Sequence, residues 1–357
     1  MGADSTAKWE IWIDRGGTFT DILGLSPQGE LHALKLLSES AAYGDAASEG
    51  VRRMTGLSAG GLPADTAASV KMGTTVATNA LLEEDGAPTL FITNAGFEDC
   101  LLIQDQTRPD IFALRIDRPR PLPARIAGIA GRLDVEGREI APLDRSKVQA
   151  VLKDASSQGL QSVAIALINS HVNDMHEAKV AELARAAGFD HVSLSSEVSP
   201  LVRLVPRAST TVIDAYLDPV LQDYAARVDK GLGGIPLYFM QSSGGLARSG
   251  HFRARDAVLS GPAGGVVGMA QTARAEGLDR VIGFDMGGTS TDVSRYDGDA
   301  FERRDQVRIG GRLLRAPMLS IHTVAAGGGS ILHFDGERAR VGPHSAGARP
   351  GPAAYGN

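Results

Sequence analysis

Apolar residues along this chain recur in two rhythms. In the first 140 residues and again after residue 280 they fall in short runs cut off by glycine and aspartate. Trp9 to Ile13 and Val281 to Phe284 both read as strands, each followed by a Gly-Gly turn and a second short strand. Leu31 to Leu37 predicts a further strand, and Tyr43 to Met54 carries apolar and small residues at helical spacing before Gly56. Ser58 to Ala68, rich in Gly, Pro, Ala and Asp, reads as a loop. Ser69 to Met72 predicts a strand leading to Gly73-Thr74-Thr75 and a helix from Val76 to Glu84. Thr89 to Thr93 is a run of β formers with a turn at Asn94-Ala95-Gly96. Pro119, Pro121 and Pro123 make Arg118 to Arg125 an extended crossing, and Ile126 to Ile140 alternates as a hairpin around Glu136-Gly137.

The middle of the chain changes to a strand–helix–strand rhythm. Helices are predicted over Asp144 to Gln158 and over His176 to Ala187, the latter closed by Gly188. Between them Ser162 to Ile168 is apolar almost throughout, as in a strand of a parallel sheet covered on both faces. His191 to Ser195 and Pro236 to Met240 predict further strands. Arg207 to Val228 predicts a long amphipathic helix interrupted near Asp218-Pro219. Ser260-Gly261-Pro262-Ala263-Gly264-Gly265 opens a helix whose first turns hold only small residues, suited to crossing another element at close range. Helices alternating with buried strands make this an α/β chain.

The two hairpins carry the same octapeptide. Asp14-Arg15-Gly16-Gly17-Thr18-Phe19-Thr20-Asp21 recurs as Asp285-Met286-Gly287-Gly288-Thr289-Ser290-Thr291-Asp292, six of eight positions matching at a distance of 271 residues. Glycine permits positive φ and clears side chains from the backbone, so that N–H groups approach a phosphate. Thr18, Thr20, Thr289 and Thr291 add hydroxyl donors, and Asp14 and Asp285 offer hard oxygens to a hydrated divalent cation. Two such hairpins facing one another would clamp a phosphate; the alternative is a pair of tight turns with no ligand. Asp21 and Asp292 read equally as outer ligands or as structural caps.

Composition narrows the setting without changing this picture. Apolar content is 43%, charged content 22% and net charge −6, which gives no attraction for nucleic acid or an anionic membrane. The 43 glycines are scattered through loops rather than repeated. Cys100 is the single cysteine, so no internal disulfide forms and a cytoplasmic location is expected. No basic neighbour lowers its pKa, which favours a buried inert thiol over a nucleophile. No signal peptide or membrane-length apolar stretch is apparent. His171 and His176, five residues apart and without a cysteine, do not read as a zinc site.

The order of phosphate hairpin, small-residue helix and second phosphate hairpin is that of the actin, sugar-kinase and heat-shock ATPase superfamily. Within it, the chain resembles the hydantoinase/oxoprolinase family. The resemblance rests on the octapeptides, on Lys71 to Glu83, Thr107 to Leu114, Glu197-Val198-Ser199-Pro200, Leu259 to Gly265, His322 to Ser330 and Val341 to Pro352. Ser320 and Ala354 depart from it, standing where an acidic residue and a cysteine are common. The resemblance implies ribonuclease H-like lobes, an N-terminal region over residues 1–205 and an ATPase region over 206–357. It also implies that the second lobe is incomplete and that the chain is an N-terminal fragment or truncated product.

By the same resemblance, the activity is ATP-dependent opening of a cyclic amide, 5-oxoproline or a hydantoin. Phosphorylating the amide oxygen removes the resonance that protects the C–N bond. Gly16, Gly17, Thr18, Thr20, Gly287, Gly288, Thr289 and Thr291 would hold ATP, while Asp14 and Asp285 would hold Mg²⁺ through water, with Thr289 and both aspartates catalytic. Gly328 and Gly329 would approach the nucleotide. Thr74, Thr75, Thr78, Asn79 and Arg108 would take the substrate. Thr74-Thr75 reads alternatively as a helix cap, and Arg108 as an inter-domain ion pair. The expected partners are a C-terminal region or partner subunit of the same enzyme, in an oligomer. The competing readings are an ATP-dependent carboxylase subunit of the acetone carboxylase sort and a non-catalytic fragment.

Overall fold

The structure is a computed structural model, and it describes residues 8–17, 19–57, 61–108, 111–116, 118–288, 290–298, 300–346 and 351. Thr18, Thr289 and Ala354 therefore lie outside the described residues. The chain opens with β1 (Trp9–Arg15), β2 (Phe19–Leu25) and β3 (Leu31–Leu37), an antiparallel meander. Helix α1 (Ala46–Met54) follows. It starts later than its apolar spacing suggests because Asp45 caps it, its carboxylate accepting from Ala47 N at 2.9 Å and Ser48 N at 3.0 Å. Strand β4 (Ala67–Thr74) then pairs parallel with β1 and runs into α2 (Val76–Leu82).

A second sheet is built from β5 (Thr89–Asn94), β6 (Arg125–Ile129), β9 (Ser162–Ile165) and β10 (His191–Leu194), all parallel, in the order β10-β9-β5-β6. Helix α3 (Cys100–Ile103) and the proline-rich crossing lie between β5 and β6. The hairpin predicted over Ile126 to Ile140 is only half realised. Its first half leaves as β6 to pair with β5, and only β7 (Arg132–Leu133) and β8 (Glu139–Ala141) pair with each other. Alternation alone cannot tell a hairpin arm from a sheet-edge strand. Helices α4 (Arg145–Ser157) and α5 (Met175–Ala186) cover one face, Val148, Leu152, Val180 and Ala184 packing on Leu90, Ile92 and Val163. The strand predicted to Ile168 leaves the ladder after Ile165. Leu167 N bonds to Glu177 Oε1 at 2.8 Å and Ile168 N to Asn94 Oδ1 at 2.7 Å instead.

After the short α6 (Ser195–Val198), the 28-residue α7 (Leu204–Gly231) continues through Pro219 without a break. Proline removes one helical hydrogen bond and costs about 3 kcal/mol in a helix interior. The offset is burial on both sides. Ala208, Val212 and Ala215 pack on the second sheet, while Leu217, Leu221, Tyr224 and Val228 pack on the first. The expected boundary at 205/206 falls inside this helix. The first sheet is completed beyond it by β11 (Leu237–Met240) and β12 (Leu246–Arg248), giving the order β12-β11-β4-β1-β2-β3.

Helix α8 (Ala254–Ala257) leads to α9 (Ser260–Ala275), the small-residue helix. It crosses to a three-stranded sheet of β13 (Val281–Met286), β14 (Thr291–Tyr296) and the strand Ile321–Val324. β13 is the edge of that sheet, and its outer face is bare: Ile282 is 75% exposed, Phe284 70% and Met286 58%.

Candidate functional site

The described residues of both octapeptides form the predicted antiparallel hairpins, in identical register. Asp14 pairs with Asp21, and Asp285 with Asp292. In each, the first glycine closes the turn, Gly16 N donating to Phe19 O and Gly287 N to Ser290 O, both at 2.9 Å. The glycines are not there for positive φ, which none of the four adopts. Clearance explains two of them. A Cβ on Gly16 would lie 3.2 Å from Phe19 O, and one on Gly17 3.3 Å from the Asn79 amide nitrogen.

The second threonine of each motif serves the scaffold rather than a ligand. Thr20 is fully buried and meets Ser38 Oγ at 3.0 Å; Ser38 in turn donates to Gly16 O at 2.7 Å, so the Thr20 hydroxyl is the donor to Ser38. Thr291, also buried, donates to Ala326 O at 2.6 Å. A hydroxyl reads as a ligand donor in sequence, but strand alternation turns these two inward, away from Asp14 and Asp21 or Asp285 and Asp292.

The glycine loop expected to approach the nucleotide braces the second hairpin. Gly328 N donates to Gly287 O at 2.9 Å and Gly329 N to Gly288 O at 2.7 Å. Their N–H groups are thus committed to the turn that Asp285 opens.

The two aspartates converge on α9. A Cβ on Gly73 would sit 3.5 Å from Asp14 Oδ1 and 4.0 Å from Gly261 Cα, and one on Gly265 3.7 Å from Asp285 Oδ2. The run of small residues therefore lets both carboxylates approach the start of the helix from opposite sides. Asp14 keeps contact with solvent, yet loss of hydration raises its pKa above the usual carboxylate value. Repulsion from Asp21 and then Asp285 raises it further, against a lowering by Lys35. Like charges gathered in this way suit a divalent cation. Asp21 is held at 2.8 Å by Lys35 Nζ, and Asp292 accepts from Thr323 Oγ1 at 2.6 Å. Among the described residues no group of three or more His, Cys, Asp or Glu side chains is arranged to hold a metal directly.

Three cavities surround these elements. One of about 260 Å³ holds Asp14, Asp21 and Lys71 against Trp12, Leu23 and the α9 glycines. A second, about 390 Å³, holds Asp285 and Asp292 beside Gly265. A third, also about 390 Å³, opens on the other side of the first turn and is lined by Arg15, Gly16, Gly17, Thr75 and Asn79.

Of the five residues expected at a substrate, the structure brings only Thr75 and Asn79 to the same cavity. Thr74 is fully buried, its hydroxyl accepting from Val76 N at 3.3 Å. Thr78 donates to Val258 O, tying α2 to the segment before α9. Arg108 is exposed in the loop beyond α3 and lines none of the three cavities. Thr75 stands at the start of α2 without a side-chain capping bond. Residues not anticipated from the sequence are Ser38 and Arg15. Arg15 carried a signal, being the position at which the first hairpin differs in charge from the second, where Met286 stands.

Two lobes meeting at small-residue helix α9, each with an Asp-x-Gly-Gly hairpin aimed at it, define an actin-like ATPase type of fold. The crystal structure of an ATP-dependent caprolactamase from Pseudomonas jessenii superimposes with a TM-score of 0.80 at 35% identity, over 97% of this chain and 52% of the other. The nucleotide-free acetone carboxylase gives 0.77 at 21% identity, a likeness of fold. The hydantoinase/oxoprolinase family matches residues 207–357, and its N-terminal region matches residues 10–188. The chain belongs to the hydantoinase/oxoprolinase family. It is 43% identical to 5-oxoprolinase 1 of Arabidopsis thaliana over 99% of its own length and 31% of the plant protein. Against the 5-oxoprolinase of Saccharomyces cerevisiae the identity is again 43%, over 97% of this chain and 30% of the yeast protein. The chain thus spans about a third of the length of these curated relatives.

Proposed function

We propose that this chain supplies the phosphoryl-transfer part of an ATP-dependent hydrolase that opens a cyclic amide of the 5-oxoproline type. The observation that carries the reading is the convergence of Asp14 and Asp285, from two matching hairpins, on the glycine-lined start of α9. The relatives support the chemistry, being 5-oxoprolinases and a caprolactamase.

The first glycine of each turn has spent its N–H group on turn closure, so Gly17 and Gly288, with Thr18 and Thr289 beside them, take the role of phosphate donors. ATP, when bound, would supply the phosphoryl group that converts the amide oxygen into a leaving group. Asp14 and Asp285 would hold Mg²⁺, which would supply charge neutralisation at the phosphoryl group. Burial first, then repulsion from Asp21 and Asp285, raises the Asp14 pKa, and a cation there would relieve that repulsion. Thr75 and Asn79, beside the first turn, contact the cyclic amide. Catalysis by these residues is positioning and charge neutralisation.

The bare apolar face of β13 is covered in the working enzyme by a C-terminal region or a partner subunit, as part of an oligomer. Among the described residues no helix is long and apolar enough to cross a membrane. The buried Cys100 thiol, its pKa pushed up to about 11 by burial, suits a reducing cytoplasm.

The test is phosphate release from ATP by the protein expressed from its complete gene, with any subunit that co-purifies. Release that depends on 5-oxoproline and yields glutamate without bicarbonate supports the proposal. A requirement for bicarbonate with a ketone substrate would identify a carboxylase instead.

A further inference from the structure

Arg15 occupies a place that the phosphate clamp does not use. Strand β1 alternates, so Asp14 turns toward α9 while Arg15 turns to the opposite face, beside Thr74 in the parallel register with β4. There its guanidinium lies 4.5 Å from the centroid of the Tyr224 ring. Tyr224 is itself immobilised: it is 2% exposed, and its hydroxyl meets Met72 Sδ at 3.7 Å. The guanidinium, which also hydrogen-bonds the Tyr224 side chain, lines the cavity that holds Gly16, Gly17, Thr75 and Asn79. Among the described residues no carboxylate forms an ion pair with Arg15, whereas Lys35 and Lys71 each have one. The cavity also bears exposed Glu39, Glu83, Asp85 and Arg227. An anion entering it is therefore repelled by the three carboxylates and attracted by two cations, the exposed Arg227 and Arg15. Of these, Arg15 is the one held against a buried ring and adjoining the first Gly-Gly turn.

We propose that Arg15 is the specificity-determining residue that pairs with the carboxylate of an anionic cyclic amide. It would orient the ring so that the amide oxygen faces the Gly16-Gly17 turn. The proposal rests on the functional reading above and deepens it. It distinguishes a lactam that carries a carboxylate, such as 5-oxoproline, from a neutral one such as 2-pyrrolidinone, which has the same ring without that group. The cavity volume of about 390 Å³ lies at the small end of ordinary ligand pockets, roughly 300–1,000 Å³. A planar fork already held against a buried ring loses little freedom on pairing with a carboxylate.

The test compares kcat/KM for 5-oxoproline and for 2-pyrrolidinone, measured as lactam-dependent phosphate release, in the wild type and in Arg15→Met and Arg15→Lys, each made in the complete protein. The expected result is that the 5-oxoproline to 2-pyrrolidinone preference falls roughly 30-fold or more in Arg15→Met, with the KM for ATP unchanged and Arg15→Lys in between. Equal losses for both lactams, a raised KM for ATP, or an unchanged preference would overturn it. A measurement on the wild type alone guards against a misfolded variant: L-proline, a cyclic carboxylate without the amide, should compete with 2-pyrrolidinone, and failure to compete counts against the proposal. A wild type that opens no lactam refutes the underlying functional reading, and the inference with it. A wild type that opens 5-oxoproline while the variants keep its preference refutes the inference alone.

Discussion

Replacing Gly327 by alanine places a methyl carbon 2.5 Å from Gly287 O, 2.8 Å from Gly288 C and 2.9 Å from Gly288 O. All three are backbone atoms of the second Gly-Gly turn, so no side-chain rotation relieves the contact. The loop must retreat from the hairpin. Retreat breaks the bonds from Gly328 N and Gly329 N to that turn and strains the Thr291 hydroxyl bond to Ala326 O. Two hydrogen bonds at about 1 kcal/mol each, with about 1–3 kcal/mol of overpacking, give a destabilisation of about 3–5 kcal/mol. Gly328→Ala is the internal control. Its Cβ would lie 3.9 Å from Gly287 O, an ordinary contact, and the expected change is below about 1 kcal/mol. Urea unfolding of both variants measures the difference, and the KM for ATP of the complete enzyme reports whether the turn has moved. If Gly327→Ala matches the wild type within about 0.5 kcal/mol, or matches Gly328→Ala, the loop is not a brace and the assignment of its glycines fails.

Three further outcomes follow from the same geometry. Ser38→Ala removes the acceptor of the buried Thr20 hydroxyl and the donor to Gly16 O; a loss of about 1–3 kcal/mol in urea unfolding is expected, and a neutral result would show the first turn holds without it. Gly50→Ala, on α1, would set a Cβ 2.6 Å from Ile22 Cδ1; thermal unfolding should show about 1–3 kcal/mol of destabilisation, and unchanged Tm would mean that Ile22 yields freely. Asp14→Asn tests the raised pKa. Because the folded state holds this proton more tightly than the unfolded chain, the associated stability is complete below the ordinary carboxylate value of 3.8 and is lost as pH rises through the higher folded value. The unfolding free energy of the wild type minus that of the variant should therefore fall as pH rises across that window, while lactam-dependent ATP hydrolysis is abolished. A difference that grows with pH would contradict the assignment.

Much of the fold is legible along the chain because its signals are short-ranged. The Asp-x-Gly-Gly turn between two apolar runs is a local device, and both copies form the predicted hairpins. The unbroken apolar run at Ser162 announces a sheet buried on both faces, and β9 lies between two parallel neighbours. Burial reversed two local readings. Pro219 does not break α7, because both flanks of the helix are packed, and the Ile126 segment leaves its expected hairpin for β5.

The candidate site divides along the same line. Residue type and spacing in the sequence identified the paired motifs, the small-residue helix between them and the family. Tertiary structure decided which groups are available. Strand alternation sends Thr20 and Thr291 into the interior, turn closure consumes the N–H groups of Gly16 and Gly287, and the hairpin carbonyls take those of Gly328 and Gly329. It also brings Asp14 toward Asp285 across 271 residues of chain and turns Arg15 into the cavity beside Thr75 and Asn79. A donor's chemistry belongs to its residue, but whether that donor is spent is settled by the atoms that packing places against it.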